Sequence, residues 1–261
     1  MSPAEVKNNK FDRARAVLRQ NGLSAAIAKA HQRVSTNLHQ YLDRFWAKIG
    51  VKFCGTGFHR WFYYTFFTDS FGTPPRIEWL GVGCSKCPLD LWVYQEILSE
   101  LKPEVIIETG TDRGGSALFF ASLCDLLGRG EVITIDVQSS SAAVTHPRIQ
   151  KIVGDSVASA TIEQVTKMVG RRSAFVVLDS DHRRDHVLRE LERYSVFVPV
   201  GGYLVVEDTD INGHPVMPGW GPGPMEAVDA FLKTRTDFII DASKEKFLMT
   251  CHPRGFLKRV A

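Results

Sequence analysis

From residue 104 onward, short apolar runs alternate with longer stretches in which apolar residues recur every three or four positions. An apolar run without polar breaks suits a strand covered on both faces. The three-and-four spacing suits a helix with one buried side. Strands are predicted at 104–108, 131–136, 149–153, 174–179, 203–207, 238–240 and 247–251, and helices at about 115–127, 157–169, 184–197 and 224–234. This alternation predicts a doubly wound α/β domain, with ligands at the carboxyl ends of its strands. Only residues 241–246 join the last two predicted strands. That is too short for a parallel crossover, so the final strand is predicted antiparallel.

Upstream the pattern is different. Leu23, Ile27, Ala30, Val34, Leu38, Leu42, Phe45 and Ile49 follow in steps of three and four. They predict one amphipathic helix of about seven turns, with Ser24 as its cap and Gly50 at its end. A helix of this length ahead of the core predicts a cap and self-association as a homo-oligomer. Next comes an aromatic stretch with Phe58, Trp61, Phe62, Tyr63, Tyr64, Phe66 and Phe67. It suits burial against the domain or a neighbouring subunit, or else a wall of a substrate pocket. The stretches 72–76 and 81–88 are rich in glycine and proline and read as loops; a helix at 90–101 then ends near Pro103. The expected division is a helical and aromatic-rich segment at 1–88 and a catalytic domain at 89–261.

Composition narrows the picture little. The net charge of the 261 residues is +3, which leaves no nucleic-acid footprint. Residues 1–50 hold nine Lys or Arg against three Asp or Glu, either a solvated helical face or a surface for an anionic partner. Five scattered cysteines suit a reducing compartment. Cys84 and Cys87 form a lone Cys-x-x-Cys, with no second pair at zinc-ribbon spacing and no thioredoxin-like context. No signal peptide or long apolar span is evident, so the chain is expected to be cytoplasmic, without a transmembrane segment.

The chemistry gathers at the predicted strand ends. The first strand leads into Glu108-Thr-Gly-Thr-Asp-Arg-Gly-Gly-Ser116. Its glycines are spaced unlike those of a dinucleotide-binding turn. Glu108 stands where a pyrophosphate would otherwise sit; it repels phosphate and suits a cation such as an amino group, unless it only caps the loop. Asp136 ends the second strand, where an acid accepts from ribose hydroxyls. Asp155 and Ser156 follow the third, placed for an exocyclic adenine amine. Together the three acids fit a nucleoside carrying a positively charged tail.

The fourth and fifth strands run into Asp179-Ser-Asp-His182 and Glu207-Asp208. If these strands are neighbours, Asp179, Glu207 and Asp208 form an all-oxygen cluster suited to Mg²⁺. His182 then lies where it can take a proton from a hydroxyl held at the cation. Asp181 is either a further ligand or a residue that orients His182. The competing reading makes all of these helix caps and turn acids. In the Gly- and Pro-rich loop at 209–224, lid-like in its length and position, His214 and Trp220 are candidates to contact substrate.

Four motifs in order carry a resemblance: Pro103-Glu-Val-Ile-Ile-Glu-Thr-Gly-Thr with Gly114-Gly-Ser, Leu178-Asp-Ser-Asp-His, Gly201-Gly-Tyr-Leu-Val-Val-Glu-Asp-Thr, and Gly221-Pro-Gly-Pro-Met-Glu-Ala-Val. Through them the chain resembles the cephalosporin hydroxylase family, which includes rhamnosyl O-methyltransferases, over roughly residues 75–250. The resemblance implies a Rossmann-like class I methyltransferase sheet of order 3-2-1-4-5-7-6, here with an N-terminal helical extension. It implies S-adenosylmethionine and Mg²⁺ as cofactors. Gly110, Thr111, Gly114, Ser116 and Asp179 would join Glu108, Asp136, Asp155 and Ser156 around the methyl donor. Asp179, Glu207 and Asp208 would hold the metal, and His182 would be the base. The implied activity is methylation of a hydroxyl on a sugar, glycolipid or glycosylated secondary metabolite. Two alternatives stay open: a component of a hydroxylation or methoxylation step, or a non-catalytic assembly partner.

Overall fold

The computed structural model describes residues 34, 38, 41, 55–68, 77–138 and 144–261. The chain divides into two compact units, Met1–Cys54 and Gly55–Ala261. In the first, Val34, Leu38 and Tyr41 are helical and exposed. The rest of the helix predicted from Leu23 to Gly50 lies outside the described residues, as does the loop at 72–76.

The second unit begins with α1 (residues 55–66), which carries the aromatic stretch. A small hairpin follows, β1 (Glu78–Trp79) and β2 (Val82–Gly83), then α2 (Pro88–Leu101), β3 (Val105–Thr109), α3 (Gly115–Leu127), β4 (Glu131–Asp136) and β5 (Ile149–Val153). The chain continues through α4 (Ser159–Val169), β6 (Ala174–Leu178), α5 (Arg184–Tyr194), β7 (Tyr203–Val206), α6 (Pro224–Thr234), β8 (Phe238–Ile240) and β9 (Phe256–Arg259). The aromatic helix is tied to the loop after β7: Tyr63 donates to the Met217 sulfur at 3.0 Å, Tyr64 accepts from the Met217 amide at 3.1 Å, and Arg60 donates to the Pro215 carbonyl at 2.9 Å.

Seven strands form one sheet in the order β5-β4-β3-β6-β7-β9-β8. Counted along the sheet's own strands this is the expected 3-2-1-4-5-7-6. The first five run parallel, and β9 is antiparallel to both β7 and β8. Every residue of β3 and β6 is buried, because helices cover both faces. Successive side chains of β3 alternate between those faces. Val105 and Ile107 pack with α4, α5 and α6, while Ile106 packs with α2 and α3. Cutting one of these isoleucines to alanine would cost about 2–5 kcal/mol.

One prediction is corrected. The final strand is not 247–251 but Phe256–Arg259. Phe247 and Leu248 have φ of 61° and 71° and are exposed, a left-handed conformation that cannot continue a ladder. The connection to β9 is therefore longer than the sequence suggested, yet the strand still runs antiparallel.

The strand order reverses between β3 and β6, which places a ligand crevice at their ends. Gly110 makes this junction possible. Its φ is 87°, and a Cβ there would lie 2.0 Å from the Asp179 carbonyl oxygen. Among the described residues, no helix is long and apolar enough to cross a membrane.

Candidate active site

The ends of β3, β4 and β5 and the turn after β6 border a cavity of about 360 Å³, lined among others by Gly110, Asp136, Asp155, Ser156, Ser180 and His186. That size suits a small-molecule ligand. Asp136 is fixed by the turn it faces: Oδ2 accepts from the Thr111 and Asp112 amides at 3.0 Å each, and Oδ1 from the Gln138 amide at 2.8 Å. Asp155 accepts from the Val157 amide at 3.0 Å. Ser156 and His186 Nε2 are 3.0 Å apart, Ser180 donates to Glu190 at 2.7 Å, and Tyr194 donates to the Ser156 carbonyl at 2.8 Å. The far wall is thus pre-arranged by a hydrogen-bonded network.

Glu108 is fully buried at the end of β3. Its Oε2 accepts from Thr134 at 2.7 Å, and Ser116 at the start of α3 also bonds the carboxyl. Its Oε1 has no hydrogen-bond partner. Burial pushes the Glu108 carboxyl up to about 7, against the opposing pull of Lys86. A buried acid with an unanswered oxygen is expensive unless a donor meets it. Thr111 hydrogen-bonds Thr134 and completes this wall. Gly114, with φ of 84°, ends the turn before α3 and approaches Val144.

The acids after β6 and β7 do meet. Asp179, His182 and Asp208 each place one donor atom within 4.8 Å of the others. His182 Nε2 is 3.2 Å from Asp208 Oδ2. Burial works against a proton on His182, but the carboxylates of Asp208, Asp179 and Glu207 outweigh it and raise the imidazole above its ordinary value. Asp208 is raised as well, by burial first, against the pull of His182, and then by the neighbouring acids. Its backbone has φ of 52°, a strained conformation of the kind that gathers at functional sites. Its amide donates to His252 Nδ1 at 3.1 Å.

Glu207 is placed differently from Asp208. It is buried, its Oε1 accepts from Tyr94 at 2.8 Å, and its Oε2 accepts from Lys86 at 2.8 Å. Lys86 also donates to Asp179. Although burial opposes the charge, Asp179, Glu207 and Glu108 hold the Lys86 ammonium well above its ordinary value. The three predicted metal acids are therefore side by side, with Asp179 and Glu207 sharing one lysine.

The weaker candidates separate. Asp181 turns away to Arg183, accepting from its amide at 2.9 Å and its guanidinium at 3.0 Å. Trp220 lies with its ring 6.2 Å from that of His182. Trp220 and Asp181 line a second cavity of about 670 Å³ together with Arg183, Arg184, His186 and Arg189. His214 is instead paired with Glu226 at 2.9 Å. Sequence reasoning missed Lys86, Tyr94, His186 and His252. The one available signal for Lys86 was the surplus of carboxylates at the strand ends, which requires a cation. Cys84 and Cys87 are buried free thiols, and burial pushes Cys84 up to about 12.

Residues 74–260 match the family described as rhamnosyl O-methyltransferase/CmcI. The rhamnosyl O-methyltransferase of Mycobacterium tuberculosis (strain ATCC 25618 / H37Rv) is 39% identical over 210 residues, covering 77% of this chain and 83% of that protein. The rhamnosyl O-methyltransferase of Mycobacterium leprae (strain TN) is 38% identical over 209 residues, covering 77% of this chain and 89% of that protein. Among solved structures, CmcI in its apo form superposes with a TM-score of 0.56 at 24% identity, covering 71% of this chain and 76% of that one. CmcI with Mg and SAM gives the same TM-score and identity, covering 71% and 77%. These two structures share the fold described above.

Proposed function

The chain belongs to the rhamnosyl O-methyltransferase/CmcI family, and from that premise we propose that it is an S-adenosylmethionine- and Mg²⁺-dependent O-methyltransferase acting on a sugar hydroxyl. The acceptor is a small glycoside: a glycolipid or a glycosylated secondary metabolite, with rhamnose, the sugar in its relatives' names, as the first to test. The observation that carries this reading is the His182–Asp208 pair set beside Asp179, at the edge of the sheet where Glu108 keeps a buried oxygen without a partner.

The residues present fit both cofactors. The unpartnered Glu108 Oε1 suits the amino group of the donor's methionine tail, with Ser116 and Thr134 steadying the carboxyl. Asp136, whose carboxylate is fixed by the Thr111 and Asp112 amides, would accept from the ribose, and Asp155 with Ser156, which line the same cavity, from the adenine. Gly110 and Gly114 carry the backbone around this end of the cavity. Asp208 is the carboxylate free of Lys86, and Asp179, which shares that lysine with Glu207, has one oxygen left for a divalent cation, whereas both oxygens of Glu207 are taken by Lys86 and Tyr94. Mg²⁺ prefers oxygen ligands, which leaves the His182 imidazole for proton transfer.

A sugar hydroxyl is a poor nucleophile near neutral pH. The cation would supply positive charge that makes the hydroxyl more acidic. His182 takes its proton, and Asp208, 3.2 Å away, orients the ring and stabilises the imidazolium that results. The chain's remaining task is to hold acceptor and donor in line. Trp220, beside His182, offers a face for the acceptor ring. Four described cysteines are free and buried, which supports a reducing, cytoplasmic setting.

The test is mass spectrometry of candidate rhamnosides incubated with the protein, Mg²⁺ and a donor carrying a deuterated methyl group. A labelled glycoside that disappears on chelation and in His182→Ala is the expected result. Undiminished transfer after chelation would remove the cation from the mechanism. Transfer to no glycoside would remove the acceptor class.

A further inference from the structure

A second group of metal-binding side chains lies apart from the acid cluster. His59 comes from α1, Asp210 from the loop after β7, and Cys251 from the segment leading to β9. All three are buried, and each places one donor atom within 4.8 Å of the others. His59 Nε2 is 2.8 Å from Asp210 Oδ2. Asp210 Oδ1 is buried without a hydrogen-bond partner. Cys251 belongs also to a second buried trio with Cys87 and Asp90, and its thiol is hydrogen-bonded to that of Cys87. Asp90 Oδ2 is engaged by the Cys251 amide at 2.9 Å.

We propose that this junction is a structural zinc site, with His59 Nε2, Asp210 and Cys251 Sγ as ligands and Cys87 Sγ as the fourth donor. A thiolate, an imidazole and a carboxylate together select zinc over Mg²⁺. With the usual zinc–nitrogen and zinc–sulfur lengths, neighbouring ligand atoms of a tetrahedral site stand about 3.4–3.8 Å apart. His59, Asp210 and Cys251 already have donor atoms within 4.8 Å of one another, and Cys87 reaches the group through Cys251, so the Cys87 thiol is the donor that must turn inward. Binding displaces the protons of the two thiols, so the two positive charges gained are offset by two protons released. The orphan oxygen of Asp210 marks where a positive centre is missing.

The site would also explain why α1 packs where it does. One ion would join α1, the start of α2, the loop after β7 and the segment before β9. Asp210 is two residues from Asp208, so the ion would fix the loop that carries Asp208 and Trp220. Four protein donors leave no open position, which is the pattern of structural rather than catalytic zinc.

The full-length protein, purified without chelators, should carry about one zinc per chain after dialysis against Mg²⁺, read by plasma mass spectrometry. Replacing zinc with Co²⁺ should give a thiolate-to-cobalt charge-transfer band. The band should weaken in Cys251→Ser and in Cys87→Ser, vanish when both are changed, and survive in Cys84→Ser, a buried thiol outside the group. X-ray absorption of the wild-type protein keeps the proposal testable even if those variants fail to fold: sulfur scatterers at about 2.3 Å from zinc are expected. A metal-free wild type that takes up no cobalt with such a band, a zinc shell of oxygen and nitrogen alone, or a native Cys87–Cys251 disulfide would each overturn it. Methyl-donor binding by calorimetry is read separately, so failure here leaves the proposed methyl transfer standing.

Discussion

Lys86 Nζ stands 2.8 Å from Glu207 Oε2 and donates on its other side to Asp179, so one buried ammonium links the acids that end β6 and follow β7. Without it, Asp179 and Glu207 would face each other out of water as like charges. The lysine thus lets the acid cluster fold before any divalent cation arrives. It also sets how much negative charge remains for that cation, since Asp208 stays free of it while Asp179 and Glu207 share it.

Lys86→Met tests this directly. Removing one partner of a buried ion pair costs roughly 3–5 kcal/mol, so the variant should melt well below wild type without divalent cations. Mg²⁺ should restore much of that loss, because it would replace the missing charge between the same carboxylates. Thermal unfolding with and without Mg²⁺ is the measurement. An equal Mg²⁺ shift in both proteins would mean that Lys86 and the cation do not share a site.

Glu108 predicts a pH dependence for donor binding. Its folded value of about 7 is raised above that of an ordinary glutamate. Stability from this group is therefore full below the unfolded value and falls as pH rises through about 7. A cationic donor needs the ionised form. Below pH 7 a proton must leave first, so affinity should drop about tenfold for each pH unit and level off above 7. Glu108→Gln should bind weakly at every pH, yet melt no lower than wild type at pH 8, since it removes a buried charge worth up to about 3 kcal/mol. Calorimetry across pH 6–8 decides; a pH-independent affinity in the wild type would refute the role.

The α/β alternation and the acids at the strand ends were legible in the sequence, because parallel strands must all end on one side; the strand order came from the family resemblance. Glu108, Asp136, Asp155, Asp179, Glu207 and Asp208 each stand at or within two residues of the carboxyl end of a parallel strand, and that alone brings them to one edge. Lys86 was hidden because its partners are 93 and 121 residues away and its own loop looks exposed. The last strand was hidden for another reason. Two of its four residues are charged, and they remain tolerable because Lys258 and Arg259 lie over the Tyr203 and Phe238 rings at 5.5 and 5.8 Å. An apolar pattern finds strands buried on both faces and passes over one whose side chains lean along its neighbours.

Gly110→Ala should damage the crevice without touching any acid. The new methyl group would meet the Asp179 carbonyl oxygen at 2.0 Å from a backbone with φ of 87°. The ends of β3 and β6 must then move apart, at a cost of roughly 2–4 kcal/mol. Donor affinity should fall at least tenfold, while far-ultraviolet circular dichroism stays close to wild type below the melting point. A variant that binds and melts like wild type would show that this contact does not shape the cavity.

His182 and Asp136 should fail in different ways, and the contrast separates chemistry from binding. His182 faces Asp208 at 3.2 Å, whereas Asp136 lines the cavity proposed for the donor, held by the Thr111 and Asp112 amides. His182→Ala removes the proposed proton acceptor, so labelled-methyl transfer should fall about 10²–10⁴-fold with donor affinity within about threefold of wild type. Asp136→Ala removes a donor-facing acceptor, so donor affinity should fall first, about tenfold or more for a lost charged hydrogen bond, and saturating donor should recover much of the rate. Asp208→Asn should fall in rate at least as far as His182→Ala, because an amide neither stabilises the imidazolium nor offers the cation a charged ligand. Rate measured at limiting and saturating donor, alongside calorimetric affinity, reads all three. If His182→Ala weakened donor binding and kept its rate at saturation, the imidazole would belong to the cofactor site and the proton would need another acceptor.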